Sequence, residues 1–187
     1  MKKMRLFLCV LLFACILAGC AKKTEKESVS ENPMPAEETG KASDPAAPAD
    51  FCFTLVFDVY GIASYDSVTG RLVKTTDSAQ PEKYVTSYFL TEEEKNEIYR
   101  RMLKINPENY PDDYDPCMHS SEPSRDIILH VKYGAVDKTI TCKEIELLNH
   151  PKDEMGSAFL DTHDLIVGIL KSSDEWKALP DYEVLYE

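Results

Sequence analysis

Glycine, positive charge and long apolar runs are all scarce in this sequence, and each shortage excludes a class of protein. Only seven of the 187 residues are glycine, and they form no Walker loop, dinucleotide-binding fingerprint or Gly-x-Ser-x-Gly elbow. Lys and Arg number 21 against 33 Asp and Glu, a formal net charge of −12. This acidity argues against a nucleic-acid partner, because phosphate binding needs a cationic surface. The mean hydropathy of −0.33 excludes a polytopic membrane protein.

Catalytic and metal-binding signatures are missing as well. The sequence has no His-Glu-x-x-His, Ser-x-x-Lys or Cys-x-x-Cys motif, so it predicts no metal and no cofactor. A catalytic site assembled from distant residues stays open, because catalytic triads are defined in space rather than along the chain.

The first twenty residues have the pattern of an export signal. Residues 1–5 contain three positive charges, and residues 6–18 contain no polar side chain apart from two thiols. Thirteen apolar residues in a helix span about 20 Å, which is short against the roughly 30 Å of a bilayer core. A basic start, a short apolar centre and small residues before the break are typical of a secretory signal.

The run Leu17-Ala18-Gly19-Cys20 resembles the lipobox of bacterial lipoproteins at all four positions. The resemblance implies cleavage before Cys20, so that residues 1–19 are a signal peptide. It also implies that a diacylglyceryl group with fatty acids such as palmitate is attached to the Cys20 sulfur. The mature chain is then held at the cell membrane, facing outside the cytoplasm. An uncleaved anchor or a cut at another position are the alternatives.

Residues 20–50 are predicted to consist of the lipidated Cys20 and a disordered tether. The stretch 21–50 has four prolines, no aromatic residue and few large apolar side chains. Such a segment cannot bury enough surface to offset its ordering entropy. Thirty flexible residues reach about 30 Å, at about 5–6 Å times the square root of the length. The tether would therefore let a folded domain stand off the membrane.

Residues 51–187 have the patterns of a single α+β domain, with an antiparallel sheet of about five strands and two main helices. Apolar and polar residues alternate over 51–60, as in a strand with one buried face. Residues 65–70 are predicted to be a turn, because Gly70 closes a run of turn-forming residues. Strands are expected at 71–75 and 83–90.

Two later strands, 126–133 and 138–145, are predicted to form a hairpin through residues 134–137. Pairing Tyr133 with Lys138 makes the two apolar faces coincide. That register puts Val131 opposite Ile140 and Leu129 opposite Cys142.

The helices show clear end signals. Thr91 followed three residues later by Glu94 fits a capping box, and Pro107 ends the helix that begins there. Residues 106–124 are rich in Pro, Asp and Ser and are predicted to be a loop. A second helix is expected over roughly 153–171, with its apolar residues on one face.

Three cysteines remain once Cys20 is lipidated and the two in the signal are removed: Cys52, Cys117 and Cys142. Three thiols allow at most one internal disulfide, in three possible pairings. The exported location permits oxidation without requiring it. Cys117 with Cys142 is the preferred pair, since a long loop could bring Cys117 back to a strand. A buried free thiol at Cys142 is the alternative.

Candidate ligating groups are sparse. Asp112-Asp113-Tyr114-Asp115 offers three carboxylates of the kind that Ca²⁺ prefers, but it lacks the EF-hand order and fits a solvated acidic loop better. Cys117-Met118-His119 could bind a soft metal together with His150 or His163, although this spacing matches no zinc signature.

Two histidines have a predicted environment. His163 is followed by Asp164 on the second predicted helix, and that carboxylate could orient the imidazole. Because no nucleophile is nearby in the sequence, a surface or partly buried histidine is the expected environment. His130 should point away from the apolar face of its strand, because it alternates with Leu129 and Val131.

These patterns together indicate a lipid-anchored protein with one small acidic domain on a stalk. Because no catalytic motif is present, we expect a non-catalytic module that binds an envelope protein or peptide. An exported hydrolase, with a site built from scattered Asp, His and Tyr residues, is the alternative. Residues 51–187 carry a formal charge of −12, the same as the whole precursor, so anionic headgroups should repel this domain.

Overall fold

The computed structural model describes residues 44–181, and within them the α+β prediction is confirmed. Six antiparallel strands form one sheet in the order β4-β3-β2-β1-β5-β6, where about five were expected. The strands are β1 (Cys52–Phe57), β2 (Ala63–Asp66), β3 (Arg71–Val73), β4 (Val85–Ser87), β5 (Ser120–Tyr133) and β6 (Val136–Ile145). The helices are α1 (Glu92–Ile105), α2 (Glu154–Ser172) and the short α3 (Asp174–Ala178).

The alternation predicted for the first strand is confirmed. Phe53, Leu55 and Phe57 of β1 are at most 1 % exposed, while Thr54 between them is exposed. β1 lies between β2 and β5, and its pairing with β5 places Leu55 opposite Leu129. The buried face therefore continues across the centre of the sheet.

The β5–β6 hairpin is present, but the predicted register was wrong by two residues. Tyr133 pairs with Val136 rather than Lys138, so the turn contains only Gly134 and Ala135. Gly134 has a φ of +54°, a left-handed conformation that suits a two-residue hairpin turn. Leu129 consequently lies opposite Ile140, and Cys142 opposite Ile127. A shift of two residues keeps the same side chains on the buried face, because the side-chain period of a strand is two.

The bounds of one predicted turn and one predicted strand were also wrong. The predicted turn at 65–70 is shorter, because Tyr65 and Asp66 complete β2 by pairing with β1. Asp66 then organises the turn by accepting hydrogen bonds from the Val68 and Thr69 amides at 2.8 and 3.3 Å. The strand expected at 83–90 is only three residues long, because Pro81–Tyr84 forms a 3-10 turn.

Both predicted helices are confirmed. The Thr91 hydroxyl accepts a hydrogen bond from the Glu94 amide, and the Glu94 carboxylate accepts from the Thr91 amide, which completes the capping box of α1. α2 begins after Asp153, whose carboxylate accepts a hydrogen bond from the Gly156 amide. A Cβ atom at Gly156 would lie 2.4 Å from the Pro116 carbonyl oxygen, so this glycine permits the close approach of helix and loop.

One hydrophobic core joins the helices to one face of the sheet. Ile98 and Met102 of α1 and Ile166 of α2 are fully buried against it. The opposite face carries polar residues such as Thr54 and Lys132, which are exposed. The predicted loop 106–124 contributes Tyr110 and Tyr114 to the core and gives its last residues to β5.

The residues before β1 also contact the domain. The Ala47 amide donates to the Asn96 side chain at 2.7 Å, and the Gly134 amide donates to the Asp50 carboxylate at 2.8 Å. The last residues of the segment predicted as a tether are thus fixed to α1 and to the β5–β6 turn.

Candidate functional site

The chain enters the sheet at one end. Most of the unpartnered buried polar atoms and of the non-glycine residues with positive φ lie at the opposite end. Asp50 precedes β1 and contacts the β5–β6 turn, whereas Asp58 follows β1 and Arg125 lies near the start of the paired part of β5. Six extended residues separate these ends by about 20 Å. We call the end of the sheet that carries Asp58 and Arg125 the far end.

Two loops at the far end are joined by backbone contacts. The Met118 amide donates to the His150 carbonyl at 3.0 Å, and Cys117 forms an isolated bridge with Pro151. These loops, residues 117–121 and 146–151, are called the loop pair. Three large apolar side chains on the pair are exposed: Met118 at 63 %, Leu147 at 40 % and Leu148 at 70 %. Neighbouring exposed apolar side chains of this kind are characteristic of interaction surfaces.

A polar cluster of buried Arg125 and exposed Asn149 and Asp164 lies beneath the loop pair. The Arg125 guanidinium donates to the Asn149 side-chain oxygen and lies 4.0 Å from an Asp164 oxygen. The Asn149 side-chain amide donates to the other Asp164 oxygen at 2.6 Å. Arg125 is only 9 % exposed, and a buried guanidinium requires such partners. The cluster thereby fixes the second loop of the pair to both β5 and α2.

His163 and Asp164 form a hydrogen-bonded pair within this cluster, the arrangement that the sequence left open, and His163 is buried rather than at the surface. The imidazole Nδ1 lies 2.8 Å from the Asp164 carboxylate and donates to it when the ring is neutral. Burial lowers the pKa of His163, although the Asp164 carboxylate opposes this shift. The hydrogen bond from His163 holds the pKa of Asp164 below its ordinary value, against the effect of partial burial. At neutral pH the pair is therefore a neutral imidazole beside a carboxylate.

Unpartnered buried atoms concentrate at the same place. Among residues 44–181, four buried side-chain polar atoms have no hydrogen-bond partner, and three are at the far end: Arg125 Nε, Glu146 Oε1 and His163 Nε2. Leaving a buried donor or acceptor unpartnered costs about 1–3 kcal/mol. Native structures contain few such atoms, so a group of three marks a candidate site. Both donors and acceptors are present, which suits a ligand with mixed polar groups.

Glu146 and Cys117 link the cluster to the loop pair. The Glu146 carboxylate is 2.9 Å from His150 Nδ1, and this hydrogen bond lowers the pKa of Glu146. Burial raises the pKa of the Cys117 thiol, and Glu146 raises it further, while Arg125 opposes both effects. The thiol is consequently protonated at neutral pH and does not act as a nucleophile in this state.

An acidic cleft of about 460 Å³ opens beside the loop pair. It is lined by seven residues: Tyr60, Ser120, Ser121, Glu122, Ser124, Asp126 and Glu144. The Tyr60 hydroxyl donates to the Glu122 carboxylate, and the Asp126 carboxylate accepts a hydrogen bond from the Glu144 amide at 2.9 Å. The cleft is thus a polar surface that adjoins the loop pair and shares Ser120 and Ser121 with it.

Backbone strain is also found around this cleft. Asp58, Tyr60 and Glu144 have left-handed φ values of 73°, 53° and 56°. Such conformations cost non-glycine residues of order 1–3 kcal/mol each and occur often at functional sites. Asn106, a further non-glycine residue with positive φ, ends α1, where this conformation is common. Among residues 44–181, the non-glycine residues with positive φ and no capping role therefore lie at the far end.

The open face of the sheet carries a second polar group. His130 points away from the core, as predicted, and its Nε2 lies 2.8 Å from an Asp137 oxygen. Lys132 contacts the other Asp137 oxygen at 3.1 Å. The hydrogen bonds from His130 and Lys132 lower the pKa of Asp137. All three side chains are well exposed, so they form a surface ion-pair group.

The acidic loop does not bring its carboxylates together. Asp112 pairs with Lys138, the Asp113 backbone bridges to Thr141, and Asp115 accepts from the Cys117 amide at 3.1 Å. Throughout residues 44–181, no three His, Cys, Asp or Glu side chains are arranged to hold a metal ion.

The residues considered as ligands of a soft metal also have different partners. Cys117 is buried and His150 hydrogen-bonds to Glu146, whereas His163 hydrogen-bonds to Asp164 inside the polar cluster. His119 follows the exposed Met118 and is itself exposed. The structure brings these residues to one end of the domain without giving them a common centre.

Cys52, Cys117 and Cys142 are unpaired in this structure. Cys117 and Cys142 lie in the same buried core, and burial raises the pKa of Cys142 to about 12. The Cys117–Cys142 disulfide stays a prediction. Cys20 and the signal peptide, residues 1–19, lie outside the described residues.

The sequence analysis missed Arg125, Glu146 and Asn149. A signal for Arg125 is present, because the inward alternation of Ile127, Leu129 and Val131 extends back to residue 125. Glu146 and Asn149 have no comparable signal, since a loop places them.

No helix within the described part of the chain is long and apolar enough to cross a membrane. Comparison with known proteins finds no matching protein-family model, no matching curated protein and no matching solved structure. The function must therefore be inferred from the chemistry of the far end itself.

Proposed function

We propose that this protein is a membrane-anchored lipoprotein that binds a protein or peptide of the cell envelope without catalysing a reaction. The lipobox-like run ending at Cys20 and the proline-containing segment after it support anchoring and reach. The described chain enters the sheet at the end that carries Asp50, so the far end is opposite the point where the proposed tether joins the sheet.

The observation that carries this proposal is the exposed loop pair above the polar cluster of Arg125, Asn149 and Asp164. Met118, Leu147 and Leu148 offer apolar contact area, while Arg125 and Asn149 hold the second loop from below. A rigidly supported apolar patch loses little conformational entropy on binding, which favours recognition of a partner. The acidic cleft beside the patch adds polar surface, as at the rim of a typical interface.

Photo-crosslinking in cells tests the proposal. A photoreactive amino acid at position 148 of the full-length, lipid-anchored chain should give a discrete adduct with another protein. Position 68 is a matched control, because Val68 is 67 % exposed and Leu148 is 70 % exposed. Val68 lies in the β2–β3 turn, away from the loop pair. Equal adduct patterns at the two positions, or none at position 148, would contradict a binding role for the far end.

An exported hydrolase is the second candidate, and the His163–Asp164 pair favours it. A carboxylate that orients a neutral imidazole is a common arrangement for general-base catalysis. However, His163 is only 6 % exposed, and its Nε2 contacts no hydroxyl or thiol of residues 44–181. Hydrolysis of an ester or peptide substrate by the full chain, lost in His163→Gln, would support this candidate over the binding module.

A further inference from the structure

We propose that the partner segment recognised at the far end is a peptide that combines Lys or Arg side chains with apolar side chains. This inference rests on the proposed binding function and specifies the chemistry of its ligand. It follows from the loop pair and the acidic cleft being adjacent parts of one surface.

The apolar part of the surface borders the cleft directly. The Leu147 amide donates to the Ser121 hydroxyl at 3.3 Å, and Ser121 lines the cleft. Leu148 follows at 70 % exposure, and Met118 on the facing loop is 63 % exposed. A bound segment can therefore bury apolar side chains on the loop pair while neighbouring side chains reach the cleft.

The charged part of the surface has one sign. The ionisable groups that line the cleft are the carboxylates of Glu122, Asp126 and Glu144 and the Tyr60 hydroxyl, and no Lys or Arg is among the lining residues. Arg125 lies between two lining residues in sequence, but it is buried and paired with Asn149. The charged groups that line the cleft are thus all acidic, and such a lining favours cationic groups over anionic ones.

The same charge argues against a second copy of this chain as the occupant. A two-fold symmetric contact through the far end would bring the carboxylates of one cleft toward those of its partner. Both copies would also carry the acidic excess of residues 51–187. Like charges placed across an interface disfavour binding, whereas a basic segment of another protein gains from both parts of the surface.

Peptides of defined pattern test this inference with the full mature chain in detergent. A ten-residue peptide of alternating Lys and Leu should bind saturably at one site, and added salt should weaken it because the cleft charges are screened. A Lys–Ser peptide, which keeps the charge alone, should bind about tenfold more weakly, and a Glu–Leu peptide should not bind. Equal binding of the Lys–Leu and Glu–Leu peptides would overturn the proposal.

Variants of the acidic cleft and of the loop pair show where the Lys–Leu peptide binds. Glu122→Gln combined with Glu144→Gln removes two charges and should weaken the Lys–Leu peptide about tenfold and reduce its salt dependence. Leu148→Ser should weaken the same peptide without changing the salt dependence. Glu97→Gln and Val68→Ser are matched controls outside the far end and should leave binding unchanged. Weakening by the controls as large as that by the far-end variants would overturn the inference.

The crosslinking experiment separates this inference from the proposed function. If position 148 gives an adduct and the Lys–Leu peptide does not compete with it, the binding role stands and the cationic ligand is wrong. If neither the adduct nor peptide binding is found, both are wrong. An adduct of twice the mass of the chain identifies a second copy as the occupant and overturns the cationic ligand.

Discussion

His163 is the residue whose environment has the clearest consequence for stability. Its pKa in the folded protein lies below the ordinary value of 6.5 because the ring is buried. The unfolded chain therefore binds a proton more readily between the folded pKa and 6.5, and folding stability falls as the pH is lowered through that interval. Asp164 acts in the same direction at lower pH, because its folded pKa is also depressed.

We expect His163→Gln to remove the first part of this pH dependence. Urea unfolding between pH 7.5 and 5 should show a smaller loss of unfolding free energy for the variant than for the parent chain. One proton accounts for at most about 1.4 kcal/mol per pH unit. Parallel slopes for the parent chain and His163→Gln would contradict this assignment.

Single residues also show where prediction from the sequence stops. The orientation of His130 and the pairing of His163 with Asp164 could be predicted, because both depend on local periodicity or adjacency. Contacts such as Arg125 with Asn149 join positions 24 residues apart. They depend on how a loop returns to a strand, which local patterns do not encode.

At the scale of elements, α2 offers two glycines in contrasting environments. A Cβ atom at Gly156 would lie 2.4 Å from the Pro116 carbonyl oxygen, while one at Gly168 would meet nothing within 4 Å. Gly156→Ala should therefore destabilise the domain by about 1–3 kcal/mol, as overpacking does. Gly168→Ala should stabilise it by about 0.5–1 kcal/mol, through helix propensity. The midpoints of urea unfolding measure both effects, and equal shifts would contradict the packing of α2 on the 116 loop.

The elements themselves were largely predictable because their signals are local. The capping box at Thr91 and the alternation in β1 are both present as expected. The β5–β6 register was less certain, because slipping by two residues preserves the buried face and the pattern cannot distinguish the two pairings. The two-residue turn through Gly134 decided it. β2 was missed because Asp66 has turn chemistry while still pairing with Thr54 of β1.

At the scale of the whole molecule, attachment and recognition are assigned to opposite ends of the sheet. The segment leading from Cys20 reaches the domain at Ala47 and Asp50, which contact α1 and the β5–β6 turn. The loop pair and the acidic cleft lie at the far end. Since residues 51–187 carry a charge of −12, anionic lipid would repel the domain, and the proposed acyl chains rather than the domain surface must supply membrane affinity.

If the acyl chains supply the membrane affinity, Cys20 alone should determine whether the chain associates with a membrane. Cys20→Ala should abolish metabolic labelling with a radioactive fatty acid, and a Cys20→Ala chain made without residues 1–19 should not float with vesicles of mixed neutral and anionic lipid. Two acyl chains hold a protein stably, at about 0.8 kcal/mol per buried CH₂, whereas the acidic domain alone has no comparable attraction. Cys52→Ala is the matched control, because Cys52 is an unpaired cysteine of the folded domain and should keep both labelling and flotation. Labelling of Cys20→Ala at the level of the parent chain would show that Cys20 is not the acylated residue, and flotation of the unlabelled chain without residues 1–19 would show that the domain itself binds lipid.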